Sequence, residues 1–504
     1  MDVVILGAAM VSPWLAAVVA GVLSRAKLTP HTVGVSASAI TGVGLLAVAL
    51  LSIFSSTTSA DTRTIEFGAL QWDPLALIMA LLVLGLSMLI QVFALRYLRG
   101  DARQTWFILC TNIVTGFTIF LVCAATVTAF VVAWIGAGAA LVALLATYRQ
   151  LNQAQDGIRR TALRFGIADS GLLIGLAIVL VAAGGDVPLN EVASQVIEMP
   201  LPLQFLVAAL LVVSALARSS QIPFHGWLPF TLAAPTPVSA LMHAGVVNAG
   251  AILLLRFSET VSLHQSVMIV IFLAGSATVV YASAVRLVRP DVKGRLVFST
   301  MAQMGFMIMT CGLGLYAAAI FHLVAHSLFK STLFLSAGTG MREHTIDRNL
   351  PVTVPTSRVV VVASTAVAVL APVASLIAAK TMFAPNITDA ELGLFVFVAL
   401  TLGVTLGAGL LTHFSLQSLT LGIVVTSAVS FGYTVAIHLF GLVLDVANSG
   451  IGAPSWLLII PAVGLIGVEV LARARTRNST LRELVYTRSL SATISRSSLS
   501  KGLI

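Results

Sequence analysis

RSSQIPFHGWLPFTLAAPTPVSALMHAGVVNAGAILLLR, residues 218–256, decides the fold. It lies inside a long apolar region, yet it carries Arg218, His225, His243 and four prolines, Pro223, Pro229, Pro235 and Pro237. Lipid cannot hydrogen-bond the backbone groups that prolines free. Such a segment persists at membrane depth only where it is buried in protein or lines a wet cavity. A broken helix with ionisable side chains beside it points to a transport site.

The surroundings fit that reading. Of 504 residues, 58% are hydrophobic and 9% charged, where a soluble domain has about a quarter charged. The chain is therefore expected to be an all-α, polytopic membrane protein. Its apolar runs are continuous rather than alternating, which argues against a β-barrel. Cys110, Cys123 and Cys311 sit in apolar runs with no redox or metal spacing, so neither a disulfide framework nor an iron–sulfur cluster is expected. The net charge of +9 reads as Lys and Arg collected in cytoplasmic loops, not as a nucleic-acid surface. The first apolar run, Val3 to Leu23, has no basic residues before it and no clear cleavage site, so it reads as a retained helix.

Apolar windows of about 20 residues give about fifteen spans. They begin near Val3, Val33, Pro74, Thr105, Thr126, Leu163, Leu203, Pro237, Ser266, Leu296, Gly312, Val359, Leu392, Ser415 and Pro454. With the N-terminus outside, the odd-numbered loops hold Arg25 and Lys27, Arg96 to Arg103, Arg149 to Arg164, Arg286 to Arg295, and Arg342 to Arg358. The even-numbered loops hold only Arg63 and Arg256, with the acidic Asp186, Glu191 and Glu198. This is a positive-inside pattern that predicts the N-terminus outside and the C-terminus cytoplasmic. The tail after Arg473 is rich in Ser, Thr and Arg, has no membrane-length run, and reads as solvated or partner-bound.

Arg218, Lys330, Lys380 and Asp169 fall within spans. A charge at the bilayer centre costs roughly 2.5–3.5 kcal/mol on the mildest scale, so such residues are candidates for function. His322, His326 and Lys330, in HLVAHSLFKSTLFLSAG, recur every fourth residue and share one helix face. They span about 12 Å at about 1.5 Å per residue. Such a ladder can pass protons through short water bridges, and an ordinary histidine titrates near 6.5, close to neutrality. HLVAH also has two histidines at zinc spacing, but it lacks the glutamate of HExxH and a third ligand. The residues could alternatively only bond between helices. Lys380 follows Pro372 in VLAPVASLIAAKTMF, which suggests a second broken helix. Two interrupted helices in corresponding halves are the mark of an inverted-repeat transporter. Asp169 is placed to pair with Arg218 or an inner-loop arginine. GAGAAL, from Gly136, reads as helix packing.

SSQIPFHGWLPFTLAAPTPVSALMHA followed by HLVAHSLFKSTLFLSAG resembles the antiporter-like subunits shared by respiratory complex I, membrane hydrogenases and multisubunit sodium/proton antiporters. The resemblance covers most of the chain and is weakest before Asp73 and after Lys380. It implies a fourteen-helix core with two inverted five-helix repeats and broken seventh and twelfth helices, which with the window count gives about 14–15 transmembrane helices. The divisions become N-terminal helices 1–104, repeats 105–258 and 259–412, C-terminal helices 413–473 and a cytoplasmic tail 474–504. By resemblance, Asp169, Arg218, His243, His322, His326, Lys330 and Lys380 occupy proton-path positions. Two departures stand out. Ile135 follows Trp134 where the family usually has a glutamate, and Arg218 replaces a lysine. Arginine does not deprotonate in proteins, so it can hold a charge but not relay a proton.

HAGVVNAGAILLLRF with Asn248, together with the 322–338 segment, resembles the DabB branch. That branch is the membrane subunit of energy-coupled inorganic-carbon (CO2/bicarbonate) accumulation. The resemblance implies a bacterial inner-membrane protein and a DabA partner, a zinc protein similar to a β-carbonic anhydrase. It implies cation flow, most simply protons, through Lys330 as switch, His322 and His326 as relays and Lys380 as exit. Other readings are a sodium/proton antiporter or respiratory-complex subunit, with sodium as the ion, and a passive structural subunit. No nucleotide loop, flavin motif or quinone motif appears, so no cofactor and no catalysis on this chain are expected.

Overall fold

The computed structural model describes residues 2–55, 64–289, 291–337, 358–383, 388–412, 416–444 and 451–473. Arg342, Arg348 and the 474–504 tail lie outside the described residues. The helices are α1 (Asp2–Arg25), α2 (Pro30–Ser55), α3 (Pro74–Tyr97), α4 (Gln104–Val122), α5 (Val127–Leu145), α6 (Asn152–Ala183), α7 (Val192–Ile197), α8 (Leu201–Arg218), α9 (Thr236–Ala244), α10 (Ala249–Arg256), α11 (Ser258–Ser262), α12 (Gln265–Val288), α13 (Val292–Gly312), α14 (Tyr316–Leu335), α15 (Arg358–Phe383), α16 (Asp389–Thr412), α17 (Leu416–Leu444) and α18 (Ile459–Arg473). Among the described residues, 11 helical segments are long and apolar enough to cross a membrane, α9 and α10 counting as one. The other expected spans fall on α13, α15, α16 and α18.

Local chemistry sets the boundaries. Asp73 caps α3 by accepting from Ala76 N at 2.7 Å, with Pro74 in the first turn. Asp291 caps α13 by accepting from Gly294 N at 2.6 Å. Gly184 closes α6 at φ +74°, where a Cβ would be strained. The chain is not wholly helical: Ile65–Phe67 pairs antiparallel with Leu70–Trp72. Gln71 N donates to Cys123 O and Ala125 N to Ala69 O, which ties this hairpin to the α4–α5 connection. Helices meet closely where glycines face each other. A Cβ on Gly275 of α12 would lie 2.5 Å from Met309 N, and one on Gly305 of α13 would lie 2.8 Å from Gly275 O.

The decisive segment is interrupted as its prolines predict. After α8 the chain leaves helical geometry at Ser220, winds through a 3-10 turn at His225–Thr231, and re-enters helix at Thr236. A second interruption at Gly245 leads into the short turn Val246–Asn248 before α10. Side chains satisfy the freed backbone groups. Trp227 Nε1 donates to Ala217 O at 3.0 Å, Gln221 Nε2 to Ser219 O at 2.7 Å, Ser220 Oγ to His225 O at 3.0 Å and Ser219 Oγ to Val247 O at 2.7 Å. Thr278 Oγ1 on α12 accepts from Ile222 N at 3.0 Å. Lys293 Nζ on α13 donates to Leu232 O, at 2.8 Å, and to Ala234 O.

The second break, expected beside Pro372, is corrected: Arg358–Phe383 runs as one helix with Pro372 inside it. A proline removes a single backbone donor, and a membrane helix can absorb that while continuing.

Thr278→Val leaves the half-buried Ile222 N–H without its acceptor. It should lower stability in thermal unfolding by about 1–3 kcal/mol, the penalty for one orphaned donor. Thr300→Val is the control, because the Thr300 hydroxyl bonds only within its own helix, to Leu296 O; it should change little.

Candidate ion path

Two buried cations occupy contrasting settings. Arg218, at the end of α8, is 1% exposed. Its Nη2 reaches Asp169 Oδ1 on α6 at 2.5 Å and Trp134 O on α5 at 3.1 Å. Trp134 Nε1 donates to the same Asp169 oxygen at 2.9 Å. The guanidinium carbon lies 4.5 Å from the Trp134 ring centroid and 4.2 Å from that of Phe165, so the cation is held between two aromatic faces. Of the two pairings open to Asp169, the one with Arg218 is therefore present. Gly138 makes the room: a Cβ there would lie 2.2 Å from Arg218 Nη1. In the sequence Gly138 is part of a packing pattern, and a glycine pattern cannot report that its neighbour is a guanidinium.

Lys330, on α14, is fully buried, and its Nζ donates to Ser299 Oγ on α13 at 2.7 Å. Among the described residues no carboxylate pairs with it. One turn back, His326 is buried, and its ring stacks on that of His322 at 6.0 Å between centroids. His322 in turn faces Phe306 of α13 at 4.9 Å. His243, on α9, stacks on Phe334 one turn beyond Lys330, at 4.5 Å. His322 Nε2, His326 Nε2 and both ring nitrogens of His243 are buried without a hydrogen-bond partner. Buried polar atoms are normally bonded, so unmet capacity of this kind marks a site that takes water or a proton. Beside them, Asn248 Nδ2 donates to Ser327 Oγ at 2.8 Å and joins the second interruption to α14.

The remaining candidates lie elsewhere. Lys380 sits in the last turn of α15 and pairs with Glu391 Oε1 of α16 at 2.7 Å. Thr388 N holds the other Glu391 oxygen at 3.0 Å. Lys380 is thus a paired group at a helix end, not one beside a break. Glu391 was missed in the sequence, where it reads as the polar edge of an apolar run. His225, within the interruption, meets Tyr281 edge-on at 4.9 Å and stands apart from the α14 row. Among the described residues, no three His, Cys, Asp or Glu side chains gather as a metal-binding group.

A model of the NADH:quinone oxidoreductase/Mrp antiporter transmembrane family matches residues 124–407, and one of the complex I chain 5 N-terminus matches residues 59–108. The chain is 36% identical over 283 residues to a probable inorganic carbon transporter subunit DabB1 of Halothiobacillus neapolitanus, covering 55% of this chain and 50% of that one. It is 31% identical over 345 residues to NADH-ubiquinone oxidoreductase chain 5 of Metridium senile, covering 65% and 56%. The chain spans about half the length of the curated relatives it matches. The solved Mrp complex from Dietzia sp. DQ12-45-1b has the same fold, with a TM-score of 0.62 at 23% identity over 97% of this chain and 58% of that one.

Removing one partner of a buried pair strands the other charge. Asp169→Ala should therefore cost about 3–5 kcal/mol in thermal or denaturant unfolding. Adding Arg218→Met should recover most of that loss. Gly138→Ala should resemble Asp169→Ala, because it displaces the guanidinium. If Gly138→Ala is neutral, the close approach is not a constraint.

Proposed function

The chain belongs to the NADH:quinone oxidoreductase/Mrp antiporter transmembrane family, and from that premise we propose that it is the cation-conducting membrane subunit of an energy-coupled inorganic-carbon transporter. The observation that carries the reading is the buried row on α14: an amine with no carboxylate partner among the described residues, beside imidazoles with unmet hydrogen-bonding capacity. Protons enter this row, Lys330 gains and loses one, and His326 and His322 relay it. His243 joins from α9. Lys380 with Glu391 stands at the exit. Arg218 with Asp169 is a fixed electrostatic element, since an arginine keeps its charge.

The likeness to the DabB subunit supports inorganic carbon as the transported species. Cation flow drives a partner that resembles a zinc carbonic anhydrase, where CO2 is hydrated; this chain conducts and does not catalyse. In this reading the two inverted repeats cover 105–258 and 259–412. Within a bacterial inner membrane, the basic loops face the cytoplasm and the N-terminus faces outward.

The test is uptake of labelled inorganic carbon in cells making this chain and its partner. Lys330→Ala should abolish accumulation while the two proteins still co-purify, and an uncoupler should do the same to the unaltered pair. Accumulation that survives Lys330→Ala overturns the reading. Accumulation that resists uncouplers but requires sodium reassigns the ion.

A further inference from the structure

The described molecule holds a line of cavities that no part of the row on α14 accounts for. The first, of about 480 Å³, opens where α3 begins and α10 ends, and its wall includes Gln71, Asp73, Asn190, Arg256 and Glu259. At its edge Arg256 pairs with Asp73 and donates to Val122 O, which pins the ends of α10, α3 and α4 together. The second cavity, of about 10 Å³, shares Leu75 and Leu255 with the first, and Cys311 and Leu323 also line it. The third, of about 20 Å³, shares Met79 and Ile252 with the second and reaches Asn248. Shared wall residues set the three in a row, a seam along α3 and α10, with α14 bordering the second and α4 and α9 the third.

Two independent observations show where the seam leads. Asn248 is 1% exposed, and its Oδ1 is buried without a hydrogen-bond partner while it lines the innermost cavity. Its Nδ2 bonds Ser327, which lies between His326 and Lys330 in sequence. The irregular backbone at Gly245 also lines that cavity, and non-helical backbone at membrane depth is tolerated where it is buried in protein or borders a water-filled space.

We propose that this seam is a gated water inlet, running from the Asp73–Arg256 vestibule through an apolar neck at Leu75, Met79, Ile252 and Leu323 to Asn248 and Ser327. The proposal rests on the conduction reading and adds its ion and its route. A cavity holds a water when its volume reaches about 10–15 Å³. The innermost chamber therefore takes one water, and the neck stands at the threshold. Apolar constrictions of that kind gate by wetting and drying. A file of single waters passes protons there, whereas a hydrated sodium ion does not fit.

Radiolytic footprinting of the unaltered chain with its partner in vesicles tests the route directly. Hydroxyl radicals form from water in place, so they oxidise methionines that water reaches. Met79 is 2% exposed and Met307 is fully buried, so bulk access treats them alike. Met79 should be oxidised several-fold faster than Met307; equal rates overturn the inlet. Ala251→Phe fills the neck and should slow both Met79 oxidation and proton flux. If Ala251→Phe leaves flux intact while Lys330→Ala abolishes it, the inlet fails and conduction through Lys330 stands. If Lys330→Ala leaves flux intact, conduction through Lys330 fails, and the Met79 rate still judges the inlet by itself.

Discussion

Oil offers no hydrogen bonds, and the rest of this molecule is arranged around that constraint. The chain between Arg218 and Thr236 is not α-helical, so its polar backbone atoms need partners from within the protein. They find them in Gln221 and Ser220 of the same segment and in Thr278 and Lys293 of the neighbouring helices, while Trp227 and Ser219 bond the flanking carbonyls of Ala217 and Val247. The helices facing the interruption therefore carry polar heads at set positions. Gly157 of α6 stays bare because a Cβ there would lie 2.6 Å from Phe230 O. What looks like a defect in one helix is a rigid joint built from several. Its rigidity fixes Arg218 at one end and leads into the helix that carries His243 at the other.

That joint separates two ways of burying a cation. Arg218 is closed off by a carboxylate, a carbonyl and two aromatic faces. It cannot release its proton, and its partner leaves it no reason to move. Lys330 has a single described hydrogen bond, to a hydroxyl, and its neighbours are imidazoles with unbonded nitrogens. Burial costs both ions free energy, but only Arg218 recovers it through an opposite charge. A lysine kept buried without that recompense is suited to change its protonation state. Ile135 fits the same asymmetry. Trp134 contributes its indole N–H and its carbonyl to the closed setting, and the next side chain brings no carboxylate to reopen it.

The sequence exposes whatever repeats along one chain. Apolar windows place the spans, prolines place the first interruption, and four-residue spacing places His322, His326 and Lys330 on a common face. The Asp169–Arg218 pair was also legible, because two buried charges of opposite sign have few other ways to be satisfied. Features that depend on which helices touch were not. Gly138 differs from a packing glycine only through Arg218, eighty residues away in the chain. Ser299 is one hydroxyl among many until α13 meets α14. Glu391 gains meaning from Lys380 across a helix connection. Pro372 misleads because a proline marks a lost donor, and the neighbours decide whether a lost donor becomes a break.

The same distinction changes the standing of α3. It precedes the expected repeats and reads as N-terminal scaffold. In the fold it lies antiparallel to the interrupted span Thr236–Arg256 along its length, with Tyr97 near Thr236 at one end and Asp73 paired to Arg256 at the other. An interrupted span cannot enclose a passage alone, because each break leaves a gap that a continuous surface must cover. α3 supplies that surface with Leu75, Met79, Leu82, Val83 and Leu86, spaced so that they fall along one side of the helix. On the opposite wall, α14 brings Leu323 to the neck and Ser327 to Asn248. A helix that precedes the expected repeats thereby lines the seam along its length, and α14 closes it at the neck.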